Sequence, residues 1–246
     1  MNLVLDLGNT SGKVAVCEGN DVLELETYER VTSREIAYFH TRYPGLRGAI
    51  ISSVINDSRE MIDYLCNLYP TCIELDHLTP LPLINQYLTP ESLGYDRIAA
   101  AVGAHTIFPG ITVLVIDAGT AITYDIVTGS GEFLGGNISP GLDIRFRALH
   151  KYTSRLPHLE RPGGKTAMLG TTTREAMESG VVHGILFEMK GFIDAFMEEY
   201  PELKVVLTGG DSNYFEAKLK YSIFVDQNLN LIGLNRILDH NAKDQT

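Results

Sequence analysis

An apolar run that ends on an acid, turns through glycine and hydroxyl residues and resumes as a second apolar run occurs twice in this chain. The first copy is Asp6-Leu7-Gly8-Asn9-Thr10-Ser11-Gly12-Lys13, entered from Leu3-Val4-Leu5 and left through Val14-Ala15-Val16. The second is Asp117-Ala118-Gly119-Thr120-Ala121-Ile122-Thr123, entered from Val113-Leu114-Val115-Ile116. The pattern is strand, tight turn, strand. The continuation also repeats: a strand to Cys17, a turn at 18–21 and a strand to Tyr28 in one copy, a strand to Val127, a turn at 128–131 and a strand to Ile138 in the other. Two like units predict a duplicated fold, with a ligand held between the halves.

The turn chemistry says what kind of ligand. Each hairpin gathers backbone N–H groups and hydroxyls at a rim able to hold phosphate oxygens, and Lys13 adds a charge to the first. A carboxylate is tolerated beside a polyphosphate when a metal or its bound water lies between, so Asp6 is a candidate water-mediated Mg²⁺ holder. A third loop, Thr208-Gly209-Gly210, lets backbone lie flat against adenine and ribose. Neither G-x-x-x-x-G-K-[ST] nor G-x-G-x-x-G occurs, which excludes a P-loop and a dinucleotide fingerprint. Taken alone, each Asp also reads as an ordinary turn residue at a strand end.

The 246 residues allow two domains, set at 1–110 and 111–246. A net charge of −11 argues against nucleic acid or an anionic membrane as partner and favours a small substrate. Cys17, Cys66 and Cys72 are odd in number and lack a C-x-x-C pair, so the expectation is buried thiols in a reducing, cytoplasmic setting. No signal peptide and no apolar run near the ~20 residues of a membrane span are visible. The histidines show no metal-ligand spacing.

Thr32 to Glu35 forms a capping box for a helix that stops at Pro44-Gly45, and Asp57 with Glu60 forms another for a helix to about Tyr69. Strands are predicted over 48–54 and 72–75, and an open loop over 76–85. Gly94-Tyr95-Asp96-Arg97 opens an alanine-rich helix, expected to be a buried linker between the halves. Thr171-Thr172-Thr173 caps a long helix to Tyr200 whose Gly180, Gly184 and Gly191 each cost about 1 kcal/mol relative to Ala, as suits a tightly packed subunit interface. A strand over 204–208, a helix from Ser212 and a last helix over 229–238 that covers the sheet complete the reading, and residues 241–246 should fray.

The Asp-Gly-Thr hairpins resemble the phosphate loops of the actin, heat-shock chaperone and sugar kinase superfamily. Within it, the ordered set Asp-x-Gly-Asn-Thr-x-x-Lys, Gly-x-Asp-Arg, Asp-x-Gly-Thr-Ala-x-Thr, Gly-Gly-x-Ile-x-Pro-Gly and Thr-Gly-Gly resembles type III pantothenate kinase. The resemblance implies two duplicated actin-like (ribonuclease H-like) α/β domains with mixed sheets and a nucleotide cleft between them. It implies ATP-dependent phosphorylation of pantothenate to 4'-phosphopantothenate, the first step of coenzyme A biosynthesis, by a homodimer that uses Mg²⁺ and a monovalent cation, K⁺ or NH₄⁺. Carried over by residue, it puts ATP binding on Asp6, Leu7, Gly8, Asn9, Thr10, Ser11, Gly12, Lys13, Thr120, Gly209 and Gly210, and the monovalent cation on Asp117. Pantothenate binding falls on Tyr87, Gly94, Tyr95, Asp96, Arg97 and Thr173, with the threonine's register open within 171–173. Tyr95 stands where the family often has a small residue, which would slightly reshape the pocket.

The catalytic base falls on Asp96. Phosphoryl transfer asks for positioning, charge neutralisation and one carboxylate that accepts a hydroxyl proton. A helix N-terminus and Arg97 would keep Asp96 ionised for that task. A purely structural alternative makes Asp96 a helix N-cap and Tyr87 a packing residue. Two rival functions stand beside the kinase: another small-molecule kinase of this fold, for a sugar or acetate, and a nucleotide-binding regulatory or actin-like protein without turnover.

Overall fold

The computed structural model describes residues 1–8, 11–53 and 59–243. The chain forms two compact units, one of residues 1–111, 127–135 and 228–246, the other of residues 112–126 and 136–227. Strands β1 (Asn2–Leu7), β2 (Gly12–Glu18), β3 (Asp21–Tyr28), β4 (Gly48–Ser53) and β5 (Thr71–Glu74) make a sheet in the order β3-β2-β1-β4-β5. The β1–β2–β3 meander is antiparallel, and β4 and β5 continue parallel to β1. Helices α1 (Ser33–Arg42) and α2 (Arg59–Leu68) provide the crossovers. Thr32 and Glu35 cap α1 reciprocally, as their spacing predicts. Asp57 and Val54 lie outside the described residues, and so do Asn9 and Thr10 of the first hairpin.

The second sheet repeats the first. Strands β7 (Val113–Ala118), β8 (Ala121–Val127), β9 (Glu132–Pro140), β10 (Lys204–Thr208) and β11 (Ile223–Val225) take the order β9-β8-β7-β10-β11, again with β10 parallel to β7 and β11 parallel to β10. Its helices are α4 (Leu142–Lys151), α5 (Thr173–Glu199) and the short α6 (Ser212–Glu216). One addition has no counterpart in the first sheet: β6 (Ile84–Asn85) pairs with Glu132 and Phe133 at the start of β9. A short strand thus stands inside the segment expected to be open loop. Two residues are too few for an alternation to register in sequence. Strand β11 escapes a sequence reading for the same reason.

Helix α3 (Tyr95–Ile107) is buried from Arg97 to Ala104, and its small residues do allow close packing. Its partner is α7 (Leu229–Lys243), which also lies on β1 and β4. A Cβ on Gly103 would meet the Leu229 carbonyl oxygen at 2.2 Å, and one on Gly233 would meet that of Ala99 at 1.8 Å, so the two helices touch backbone to backbone. Helix α7 runs through Lys243, past the point where fraying is expected. The cysteine expectation needs correction as well. Cys66 at the end of α2 and Cys72 in β5 form a disulfide, because the turn at Pro70 brings their Cα atoms to 5.1 Å. Only Cys17 is a buried thiol, and burial together with Asp239 pushes it up to about 12.

Candidate active site

The first hairpin sets Asp6, the penultimate residue of β1, directly across from Lys13 of β2. The Gly8 N–H closes the turn on the Ser11 carbonyl at 3.0 Å. Leu7 points into the core of the first sheet, and a Cβ on Gly12 would strike Val31 at 2.7 Å, so both serve the site through backbone alone. Burial raises the Asp6 carboxyl above its ordinary value, Lys13 pulls it back, and the charge of Asp96 pushes it up again. The end of β1 and the start of α3 therefore bring these two carboxylates within electrostatic reach.

Gly94 is the N-cap of α3 and Asp96 its second residue. Asp96 is consequently not the cap, although its Oδ1 accepts the Arg97 backbone N–H at 2.9 Å. A Cβ at Gly94 would lie 2.5 Å from that same oxygen, so a larger residue there would turn the Asp96 carboxylate aside. Asp96 stays exposed while Arg97 is buried. The Arg97 guanidinium stands 5.2 Å over the Tyr87 ring, with Nη1 3.5 Å from the tyrosine hydroxyl. Three of the expected substrate residues, Tyr87, Asp96 and Arg97, are thus gathered in one unit, with Tyr95 and Gly94 between them on the chain.

In the other unit Thr208 pairs with Asp117 across β10 and β7, so the Thr-Gly-Gly turn and the second hairpin are neighbours by register. Gly209 has φ +89°, and a Cβ there would sit 2.3 Å from Asp117 Oδ1 and 2.5 Å from the Ala118 carbonyl oxygen. No other residue type fits. Gly141 closes the hairpin from a third side, donating its N–H to the Thr120 carbonyl at 2.9 Å. The long helix gives the three threonines different places. Thr172 is its N-cap, in a capping box with Glu175, and the Thr171 hydroxyl donates to the same glutamate at 2.8 Å, leaving Thr173 exposed as the first helical residue.

Sequence reasoning missed a polar cluster behind the Gly-Gly-x-Ile-x-Pro-Gly segment. Arg145 of α4 donates to the Pro140 carbonyl and Ser139 Oγ, both at 2.8 Å, and to Glu188 of α5 at 2.7 Å. Tyr124 of β8 donates to the other Glu188 oxygen at 2.8 Å. Burial alone would raise the Glu188 carboxyl, but the bonds from Arg145, Ser139 and Tyr124 outweigh it and hold the group below its ordinary value. No spacing rule links residues 124, 139, 145 and 188; only an unusual Glu in the middle of an apolar helix marked the place.

A duplicated α/β fold, with a carboxylate-bearing hairpin in each sheet and a Thr-Gly-Gly turn beside the second, is the fold of the actin-like ATPase and sugar kinase class. Solved structures agree on the fold: a Baf family protein from Campylobacter jejuni matches with TM-score 0.65 at 22% identity over 98% of this chain and 99% of that one. The activator of 2-hydroxyisocaproyl-CoA dehydratase from Clostridium difficile, solved with bound ADPNP, matches with TM-score 0.54 at 14% identity over 99% and 96%. Residues 2–195 match the family model of type III pantothenate kinase, and the chain belongs to that family. It is 45% identical over 243 residues to the type III pantothenate kinase of Phocaeicola vulgatus, covering 99% of this chain and all of that one, and 46% identical to that of Bacteroides fragilis over 98% of each.

Proposed function

We propose that Asp96 is the general base through which this kinase phosphorylates pantothenate with ATP. The observation that carries the assignment is the pairing of two unlike carboxylates: Asp6 half-buried opposite Lys13, Asp96 exposed at the first turn of α3 and felt by Asp6. In the reaction the substrate hydroxyl oxygen attacks the γ-phosphorus, the bond to the ADP oxygen breaks, and the hydroxyl proton passes to Asp96. Lys13, Thr120 and the hairpin backbones hold the phosphate oxygens; Gly209 and Gly210 lie along the nucleoside. Tyr87, Gly94, Tyr95 and Arg97 orient pantothenate. Thr173, which follows two threonines that hold the helix cap, is the threonine assigned to pantothenate, contributed by the partner chain of a homodimer.

ATP is used with a divalent ion. The described residues contain no cluster of three or more His, Cys, Asp or Glu side chains that would cage a metal. Mg²⁺ takes one or two carboxylates and otherwise phosphate and water. Asp6 would hold it through water, since a carboxylate raised by burial and by a second acid favours a nearby cation. When bound, the ion would neutralise charge on the phosphates. Asp117, with the Ala118 carbonyl crowded against the same glycine, supplies oxygen donors for K⁺ or NH₄⁺. Full turnover with Na⁺ as the sole monovalent cation would remove that role.

The homodimer reading is supported by α5. Gly180, Gly184, Phe187 and Gly191 fall on one stripe, Phe187 is 60% exposed, and a Cβ on Gly180 or Gly191 would meet nothing within 4 Å. A surface stripe made of three glycines and a phenylalanine suits a second copy laid against it. An active monomer in sedimentation would refute it. The copies of the duplication are assigned to 1–110 and 111–246, with α7 returning to pack on the first. No described helix is long and apolar enough to cross a membrane. The net charge of −11 supports an enzyme of small substrates without a nucleic-acid or membrane partner, and a cytoplasmic setting is part of the same proposal. An ADP-release assay across pantothenate, sugars and acetate tests the whole reading: turnover with a sugar or acetate in preference to pantothenate would overturn it.

A further inference from the structure

Phe133 lies outside the motifs of the site, is fully buried, and touches both aromatic and cationic members of the substrate group. Its ring centroid is 6.2 Å from that of Tyr87, and the Arg97 guanidinium is 6.0 Å from it. Arg97 therefore lies over both rings of one tilted pair, at 5.2 Å and 6.0 Å, both within the range where a cation is attracted to an aromatic face. The strand that carries Phe133 also places Tyr87. Ile84 N–H donates to the Gly131 carbonyl at 2.8 Å and Gln86 N–H to the Phe133 carbonyl at 2.9 Å, so the extra strand β6 hangs Tyr87 from the start of β9. Two residues on, Gly135 has φ +107°, and a Cβ there would press on the Tyr87 ring at 3.1 Å.

We infer that Phe133 is a positioning residue for pantothenate binding, acting through Arg97, and that the Phe133–Gly135 stretch of β9 is a platform that fixes Tyr87 and Arg97 as one preorganised pair. This rests on the reading of Tyr87 and Arg97 as substrate residues. A buried guanidinium on a long side chain has several rotamers of similar energy unless something holds its plane. The Phe133 ring does so without engaging any of its N–H donors, one of which already reaches the Tyr87 hydroxyl. The lone feature that distinguishes the second sheet from the first, β6, then has a purpose: it ties a substrate loop to the rear wall of the substrate arginine.

The test is a double-mutant cycle in the full-length enzyme with pantothenate and ATP varied separately. Phe133→Leu keeps an apolar group and removes the ring; Phe133→Met, whose flexible side chain fills irregular gaps, replaces it if the leucine variant folds poorly. The KM for pantothenate should rise about 5- to 30-fold, the range expected from losing a cation–ring contact, with kcat and the KM for ATP within about twofold. Arg97→Lys should raise the same KM, and adding the Phe133 substitution to it should change little further. If Arg97→Lys raises the pantothenate KM and the Phe133 variants do not, the inference fails while the substrate assignment stands. If the Phe133 variants raise both KM values together, or their effect simply multiplies that of Arg97→Lys, Phe133 is a core residue only and the inference also fails. If Arg97→Lys leaves the pantothenate KM unchanged, the substrate assignment itself falls and takes the inference with it.

Discussion

The two hairpins are built alike and finished differently. In the first, Asp6 faces Lys13 across a pair of strands and feels a second acid, Asp96, from the start of α3. In the second, the position of Lys13 is taken by Thr123, and backbone closes on the turn instead. Gly209 packs against the Asp117 carboxylate, and Gly141 packs against the carbonyls of Gly119 and Thr120. One copy has become a site of charge and the other a site of shape. A duplicated turn can therefore keep its geometry while its copies are finished with different chemistry, and the proposed reaction uses the first for proton transfer and the second for nucleotide placement.

The largest effect that would break this division is at Asp96. Asn keeps the volume and the hydrogen bond to the Arg97 N–H but takes no proton, so Asp96→Asn should lower kcat by ~10²–10⁴-fold with the KM for ATP little changed. Single-turnover kinetics decide it. A variant that keeps more than about a tenth of wild-type kcat, under ~1.4 kcal/mol on the barrier, makes Asp96 a positioning residue. Next is Gly209→Ala on the shape side. A Cβ would be 2.3 Å from Asp117 Oδ1 at φ +89°, so the protein should lose ~1–3 kcal/mol in urea unfolding and its KM for ATP should rise more than that for pantothenate. Equal rises in both would merge the separate roles of the two hairpins.

Local signals were legible in proportion to how much backbone they dictate. The capping boxes at Thr32 and at Thr172, the hairpins and the crossover order all follow from residues a few places apart, and both sheets came out with the expected three-strand openings. Contacts made by chain ends far apart did not. Gly103 announces that something approaches α3 closely, yet nothing in its neighbourhood says that the visitor is Leu229. The Cys66–Cys72 disulfide was invisible because its geometry depends on a turn, not on a spacing motif. At the site, hydroxyls, acids and glycines of the motifs were readable, whereas Phe133, Arg145 and Glu188 were not: each acts by holding another residue, and such residues carry no chemistry of their own in sequence.

The charge side has a cost that can be measured. Burial and Asp96 raise the Asp6 carboxyl above 3.8 in the folded protein, more than Lys13 lowers it. A group raised in this way favours folding only while protonated, so its contribution is present below its unfolded value and lost as pH rises through the folded one. At pH 7 the ionised Asp6 works against the fold. Asp6→Asn should therefore raise the melting temperature of the nucleotide-free protein at pH 7 while reducing activity, and the gain should vanish as pH drops below about 4. A lower melting temperature at pH 7 would mean that Lys13 outweighs burial and would overturn the strain assigned to Asp6.

The smallest expected effect lies behind the second hairpin and has the opposite sign. Glu188 is held below its ordinary 4.5 by hydrogen bonds from Arg145, Ser139 and Tyr124 that exceed the opposing effect of burial. A carboxylate lowered on folding stabilises the protein above its unfolded value and loses that contribution as pH falls through the folded one. Glu188→Gln should thus destabilise at pH 7, by under ~1 kcal/mol because the Arg145 and Glu188 side chains remain 21% and 25% exposed. The difference from wild type should shrink as pH drops below 4.5, the unperturbed value. Because Arg145 also holds Ser139 and Pro140, whose successor Gly141 backs the Thr120 turn, the same variant should raise the KM for ATP slightly and leave that for pantothenate alone. Stability curves for Asp6→Asn and Glu188→Gln that diverge from wild type in opposite directions above pH 5 would show that one hairpin is held under charge strain and the other supported by it; curves that move together would leave the two copies alike.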